Sequence, residues 1–139
     1  MKSLYTGILI CVLVLLAGCL DSDASNSSNI TPDLKDAEPV YVTQWPENEF
    51  TSQIAKPGNG NIDYVYDCSD SGYYGIFIKD IKKEESEDYI VQLKKLGYAE
   101  VNSASNDISV GTILQKDDTA LSISYSDGVL SILINKKIS

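Results

Sequence analysis

Cys19 is the residue of this chain whose neighbours specify a reaction. It closes the tetrapeptide Leu16-Ala17-Gly18-Cys19, after ten consecutive apolar residues at positions 8–17 and a short head carrying Lys2. A charged head, an apolar centre and a small-residue site ending in cysteine are the parts of a lipoprotein signal peptide. The chemistry this predicts is thioether attachment of a diacylglyceryl group to the Cys19 thiol and cleavage between Gly18 and Cys19. Acylation of the freed amine, with palmitate as a typical chain, would complete the anchor. The apolar run falls short of the roughly 20 residues a membrane-spanning helix needs. An ordinary secretory signal cut further along would leave the cysteine unexplained. Two acyl chains hold a protein on a bilayer stably, whereas one gives only marginal binding.

The signal changes the cysteine count. Cys11 leaves with the cleaved peptide and Cys19 carries lipid, so Cys68 has no partner within the chain. A lone thiol in a strand is expected to be a small buried hydrophobe with a structural role. No histidine occurs and all eleven basic residues are lysine. That excludes Ser-His-Asp and Cys-His catalysis, imidazole metal ligands and bidentate guanidinium clamps on phosphate. Gly58-Asn59-Gly60 lacks both the spacing and the following helix of a phosphate loop. No cofactor is expected.

Carboxylates are the remaining catalytic option, paired as in glycosidases. Twenty acids make some pair inevitable, so the pairing itself carries little weight, and the chain is read as noncatalytic. Asp67-Cys68-Ser69-Asp70-Ser71-Gly72 offers clustered oxygens to calcium. It lacks the Asp-x-Asp-x-Asp-Gly spacing and the distal glutamate, and the same residues suit a hairpin turn. It is read as a turn, with no metal. Nine tyrosines are the other notable supply. Tyr64 and Tyr66 alternate with Ile62 and Cys68 and are expected to pack with them on one core face. Tyr73 and Tyr74 are adjacent in a strand, so one of them must point away from the core. They are the candidate surface aromatics, for a glycan or a partner protein.

These residues need positioning elements. Positions 1–18 are read as the signal, and 19–39 as the lipidated cysteine with a disordered, Ser/Asn/Asp-rich tether too poor in apolar groups to offset the entropy of ordering. Positions 40–139 are read as a single domain. Loss of residues 1–18, with one lysine and no acid, takes the formal charge from −9 to −10. Such a surface repels nucleic acid and anionic lipid headgroups.

Within the domain, alternation predicts a hairpin over 62–68 and 73–79, with Ser69-Asp70-Ser71-Gly72 as its turn. Acids at Glu84, Glu85, Glu87 and Asp88, lysines at 94 and 95, and Gly97 predict a helix over 84–96. Tyr89, Ile90, Leu93 and Leu96 form its apolar stripe, with Tyr98 folding back onto it. Strands follow over 109–116 and 119–125. Ser126-Asp127-Gly128 then turns into a last strand carrying Leu130, Ile132 and Ile134. A weaker strand signal covers 99–103. The predicted class is α+β: an antiparallel sheet of about five strands, ββα and then a meander, with one helix on one face.

The order of Trp45-Pro46-x-Asn48-x-Phe50, a Lys56-Pro57-Gly58 loop, an alternating hairpin, a helix ending Leu93-Lys94-Lys95-Leu96-Gly97-Tyr98 and a closing strand pair resembles small lipoproteins, chiefly of Firmicutes, that carry a domain of unknown function. The resemblance spans about residues 41–135. It departs at the helix start, where Lys82-Lys83 stands in place of a Ser/Thr cap. It implies no activity and brings no site residues.

Taken together, the sequence predicts a lipoprotein held at the cell membrane on its extracytoplasmic face. The expected role is a noncatalytic binding or envelope-associated module with a protein or glycan partner and no nucleic acid. The alternatives are a small carboxylate hydrolase of cell-wall glycans and a structural accessory subunit of a membrane complex.

Overall fold

The computed structural model describes residues 37–137. Gly18, Cys19, the predicted signal and nearly all of the predicted tether lie outside the described residues. Strands β1 (Val40–Tyr41), β2 (Asn61–Cys68) and β3 (Tyr73–Lys79) precede helix α1 (Lys83–Lys95). Strands β4 (Ala99–Ser105), β5 (Ser109–Lys116), β6 (Thr119–Ser126) and β7 (Val129–Lys136) follow it. They form one antiparallel sheet in the order β1-β2-β3-β7-β6-β5-β4. The helix carries the chain from the middle of the sheet to its far edge. The meander β4–β7 then returns, and β7 closes against β3.

Seven strands replace the expected five, and three of them precede the helix. Both strands that sequence reading undercounted are edges. β1 is two residues long, and every residue of β4 is exposed. An edge strand that buries no side chain leaves no apolar alternation to read. The central strands do leave one. Leu121, Ile123 and Tyr125 of β6 are buried while Ser122 and Ser124 between them are exposed. On β7, Leu130, Ile132 and Ile134 are all buried.

Helix α1 covers this apolar side with Tyr89, Ile90 and Leu93, joined by Tyr98. Each fully buried aliphatic side chain of this kind contributes about 1.5–3 kcal/mol. The helix begins without a Ser/Thr cap. Glu85 substitutes, its carboxylate accepting the Lys82 N–H at 2.8 Å. At the other end Gly97, at φ 103°, takes the left-handed position that L side chains avoid. Its N–H donates to the Lys94 carbonyl at 3.0 Å and that of Tyr98 to the Leu93 carbonyl at 3.3 Å, the two bonds of a Schellman closure. The helix therefore ends before Leu96, which is 44% exposed and no part of the apolar stripe. Ser86 takes that place, fully buried, with a hydroxyl that has no hydrogen-bond partner.

Residues 42–57 wrap the helix side. Asn48 starts a short turn, its Oδ1 accepting the N–H groups of Phe50 at 2.9 Å and Thr51 at 3.0 Å. Two tyrosines fasten the segment. The Tyr89 hydroxyl donates to the Ala55 carbonyl at 2.7 Å, and the Tyr98 hydroxyl to the Gln53 carbonyl at 3.0 Å. Gly60 lies against β3 at φ 84°, where an added Cβ would fall 2.6 Å from Ile78 Cγ2. Only glycine fits there.

Candidate functional site

A one-residue bulge decides what the second face of the sheet presents. Ile62 pairs with Ile78, but Tyr64 pairs with Phe77, so Asp63 is an extra residue in β2. Before the bulge, Ile62 packs against the core. After it, Val65 takes the core side opposite Ile76, and Tyr64, Tyr66 and Cys68 turn to the face away from the helix. The expectation that all four share one core face is corrected here. A strand keeps its alternation only while its register is unbroken.

The correction extends to Cys68. It is a free thiol, half-buried on the open face opposite Tyr73, and not a buried core residue. Tyr73 lies on this face, half-buried. Tyr74 is not a surface aromatic. It is 5% exposed, in register with Ile134, and stacks on Phe50 with ring centroids 5.8 Å apart. Burial raises its phenol above the ordinary range, and the nearby Asp67 carboxylate adds to the rise.

On the open face Tyr64 is the hub of four aromatic rings. Phe77 stacks on it at 4.5 Å and 17°. Tyr66 meets it edge-on at 5.5 Å and 75°, and Tyr41 from β1 at 5.9 Å and 63°. Tyr66 also stands perpendicular to Phe77 at 5.4 Å. These are the offset and edge-to-face arrangements aromatic pairs prefer, each adding about 0.5–1.5 kcal/mol. Partial burial raises the Tyr64 phenol, with Tyr66, Asp63 and Tyr41 contributing in the same direction. Gly75, opposite Tyr66, leaves room for the rings beside Leu133. Sequence reading did not single out Tyr41 or Phe77. Phe77 was recoverable from its alternation with the buried Ile76 and Ile78. Tyr41 had no signal, being half of a two-residue strand.

The row that continues from Tyr64 is small and hydroxylated, while the neighbouring rows carry Leu133, Ile113, Asn135 and Gln115. Continuing the row from Tyr64 and Phe77, the paired positions are Ser131, Ser124 and Gly111. The Ser124 and Ser131 hydroxyls bond each other at 2.7 Å. A shallow depression of about 390 Å³ lies among Tyr64, Phe77, Ser124 and Ser131, with Lys79 at its rim. There Lys79 donates to Asp63 at 2.9 Å, tying the bulge residue to β3.

Two carboxylates meet in a cleft elsewhere, and both are engaged. Glu49 and Asp67 share a cleft of about 320 Å³ with Phe50 and Tyr74. Glu49 accepts Lys136 Nζ at 2.8 Å, and Asp67 accepts the Ser69 N–H at 3.1 Å in the β2–β3 turn. That turn closes at Gly72 in the left-handed conformation. Among the described residues no cluster of three or more His, Cys, Asp or Glu could hold a metal ion. Among them also, no helix is long and apolar enough to cross a membrane.

No protein-family model, curated protein or solved structure matches the chain.

Proposed function

We propose that the chain is a lipid-anchored extracytoplasmic module that binds without catalysing, and that the open face of its sheet is the working surface. The observation that carries the reading is the composition of that face. Three rows of paired positions cross it, through Tyr64, Tyr66 and Tyr73, and none of their nineteen residues is charged. The chain as a whole has formal charge −9. Three uncharged rows carrying one exposed and four half-buried aromatics, on an otherwise acidic protein, have the composition of a contact surface. The Leu16–Cys19 motif supports the location, and the Ser/Asn/Asp-rich composition of positions 19–39 supports the reading of a tether.

The glycan-hydrolase alternative is less well supported. A glycosidase needs one protonated and one free carboxylate flanking its substrate. Two clefts are each lined by two carboxylates: in one Glu49 is held by a lysine and Asp67 by its turn, and in the other Asp117 and Asp118 are adjacent turn residues beside Lys137. A flat glycan platform also fits less well. Sugars stack on open ring faces, and Tyr64 and Phe77 each have one face covered by the other. An accessory subunit of a membrane complex uses the same kind of face and belongs to this reading.

One experiment addresses location and surface together: crosslinking in intact cells, followed by membrane fractionation. Cys19→Ser is expected to move the protein into the soluble fraction. Ser122→Arg, an exposed change at mid-face, should leave it on the membrane and remove its crosslinked adducts. Membrane retention of the Cys19 variant overturns the anchor. Unchanged adducts in the Ser122 variant overturn the surface.

A further inference from the structure

We infer that the occupant of the open face is a second copy of this chain, packed sheet on sheet about a two-fold axis along β7. The inference rests on the reading of that face as the working surface and names its partner.

Strand order supplies the first argument. β7 is the fourth of seven strands, the midline of the sheet. A two-fold axis parallel to it, lying between two facing sheets, reverses the strand order from one layer to the other. β3 then lies over β6 of the second copy, β2 over β5, and β1 over β4. In the two outer rows large rings fall on small residues, while in the row between them Gly75 faces Ser122, Tyr66 faces Ile113 and Leu133 meets its own counterpart. In the row through Ser131, Phe77 faces Ser124 and Tyr64 faces Gly111, while Ser131 meets its own counterpart. In the row through Asn135, Tyr73 faces Ala120. Packed sheets need large side chains set against small ones across the layer. This sheet carries both halves of that pattern in one chain. A two-fold interface must be self-complementary in this way.

Charge is the second argument. Two copies of an acidic chain repel one another unless they meet where neither is charged, and these rows provide such a surface.

Area is the third. Six or seven strands about 4.8 Å apart, over about six residues at about 3.3 Å each, give on the order of 600 Å² of projected face per copy. The pair together reach about 1,200 Å², the lower bound of stable specific interfaces.

The test is sedimentation equilibrium of the full chain in mild detergent, with thermal unfolding run in parallel. Wild type is expected to be a dimer. Ser124→Arg places a guanidinium against Phe77 of the second copy and is expected to weaken dimerisation by about 100-fold or more. Ser124 is exposed in the single chain, so the variant's thermal midpoint at dilution to monomer should match wild type. Asp88→Arg, on the exposed side of the helix, should remain a dimer. A dimer indifferent to Ser124→Arg overturns the inference. So does a monomeric wild type that forms Ser124-dependent crosslinks to a different protein on membranes, although the working surface then stands. A monomer without any Ser124-dependent contact overturns both.

Discussion

The two faces of this sheet are built by the same strands and follow different rules. On the helix side, Leu121 and Ile123 of β6 and Leu130, Ile132 and Ile134 of β7 are fully buried, flanked by the buried Thr119 and Tyr125. On the open side, half of the intervening positions of the same strands are serine, with Ala120, Val129, Leu133 and Asn135 as the rest. The aromatic weight is gathered at β1–β3. A face that only needed solvation would be charged, as the helix exterior is with Glu84, Glu87 and Asp88. The contrast separates a surface sealed by its own chain from one with no cover among the described residues.

Adjacent residues of β7 provide the sharpest way to break that contrast. Ile132 points into the core and Leu133 onto the open face. Ile132→Ala is expected to cost about 2–5 kcal/mol in urea unfolding, as a fully buried truncation. Leu133→Ala should cost under about 1 kcal/mol when measured in the Ser124→Arg background, where the face is free. Equal costs would mean that both faces are core, and the distinction fails.

Tyr89 against Tyr41 is the next comparison: one phenol sealed and one 74% exposed. Burial raises the Tyr89 phenol far above its ordinary value of 10.0, with Tyr98 adding to the rise. A raised folded-state value supplies stability that is complete below about pH 10 and is lost as the pH climbs from there towards the folded-state value. Tyr89→Phe is therefore expected to fall less steeply above pH 10 than wild type. At neutral pH it should cost about 1 kcal/mol for the hydrogen bond to Ala55. Tyr41→Phe, at an exposed ring, should cost under about 0.5 kcal/mol at neutral pH, and a Tyr89→Phe alkaline limb as steep as wild type removes the assignment.

The smallest expected effect has the opposite sign. Ser86 buries an unpartnered hydroxyl in the helix, a cost of about 1 kcal/mol or more, and alanine is the better helix former. Ser86→Ala should raise stability by about 0.5–1 kcal/mol in the same urea series. A loss would show that the hydroxyl is satisfied in solution.

Much of the covered face could be read from residue order. The β6–β7 alternation, the Ser126-Asp127-Gly128 turn and the Lys94-Lys95-Leu96-Gly97 ending each reflect a local physical requirement. The open face was far less legible. Its rings gather because Asp63 interrupts β2, and no Gly or Pro marks that bulge. One residue of slippage reversed the facing of Tyr64, Tyr66 and Cys68 together. Tyr73 and Tyr74 could be divided between the faces by alternation but not assigned to them, since the dividing choice is made by pairing with β7. Leu96 carried the right spacing for the stripe, and only the exact point where Gly97 closes the helix takes it out.

The place of β7 also bears on how the domain forms. The midline of the sheet is the last of the described strands, and it pairs with β3 across a separation of 50 to 62 residues along the chain. Until residue 136 has been made, β3 and β6 each have an unpaired inner edge, and the two halves of the sheet have nothing between them to join. Loop closure over such distances is slow compared with hairpin formation. The ribbon β1–β3 and the meander β4–β6 can each form from local contacts. Their union waits for β7, which makes the arrival of that strand the step that commits this fold.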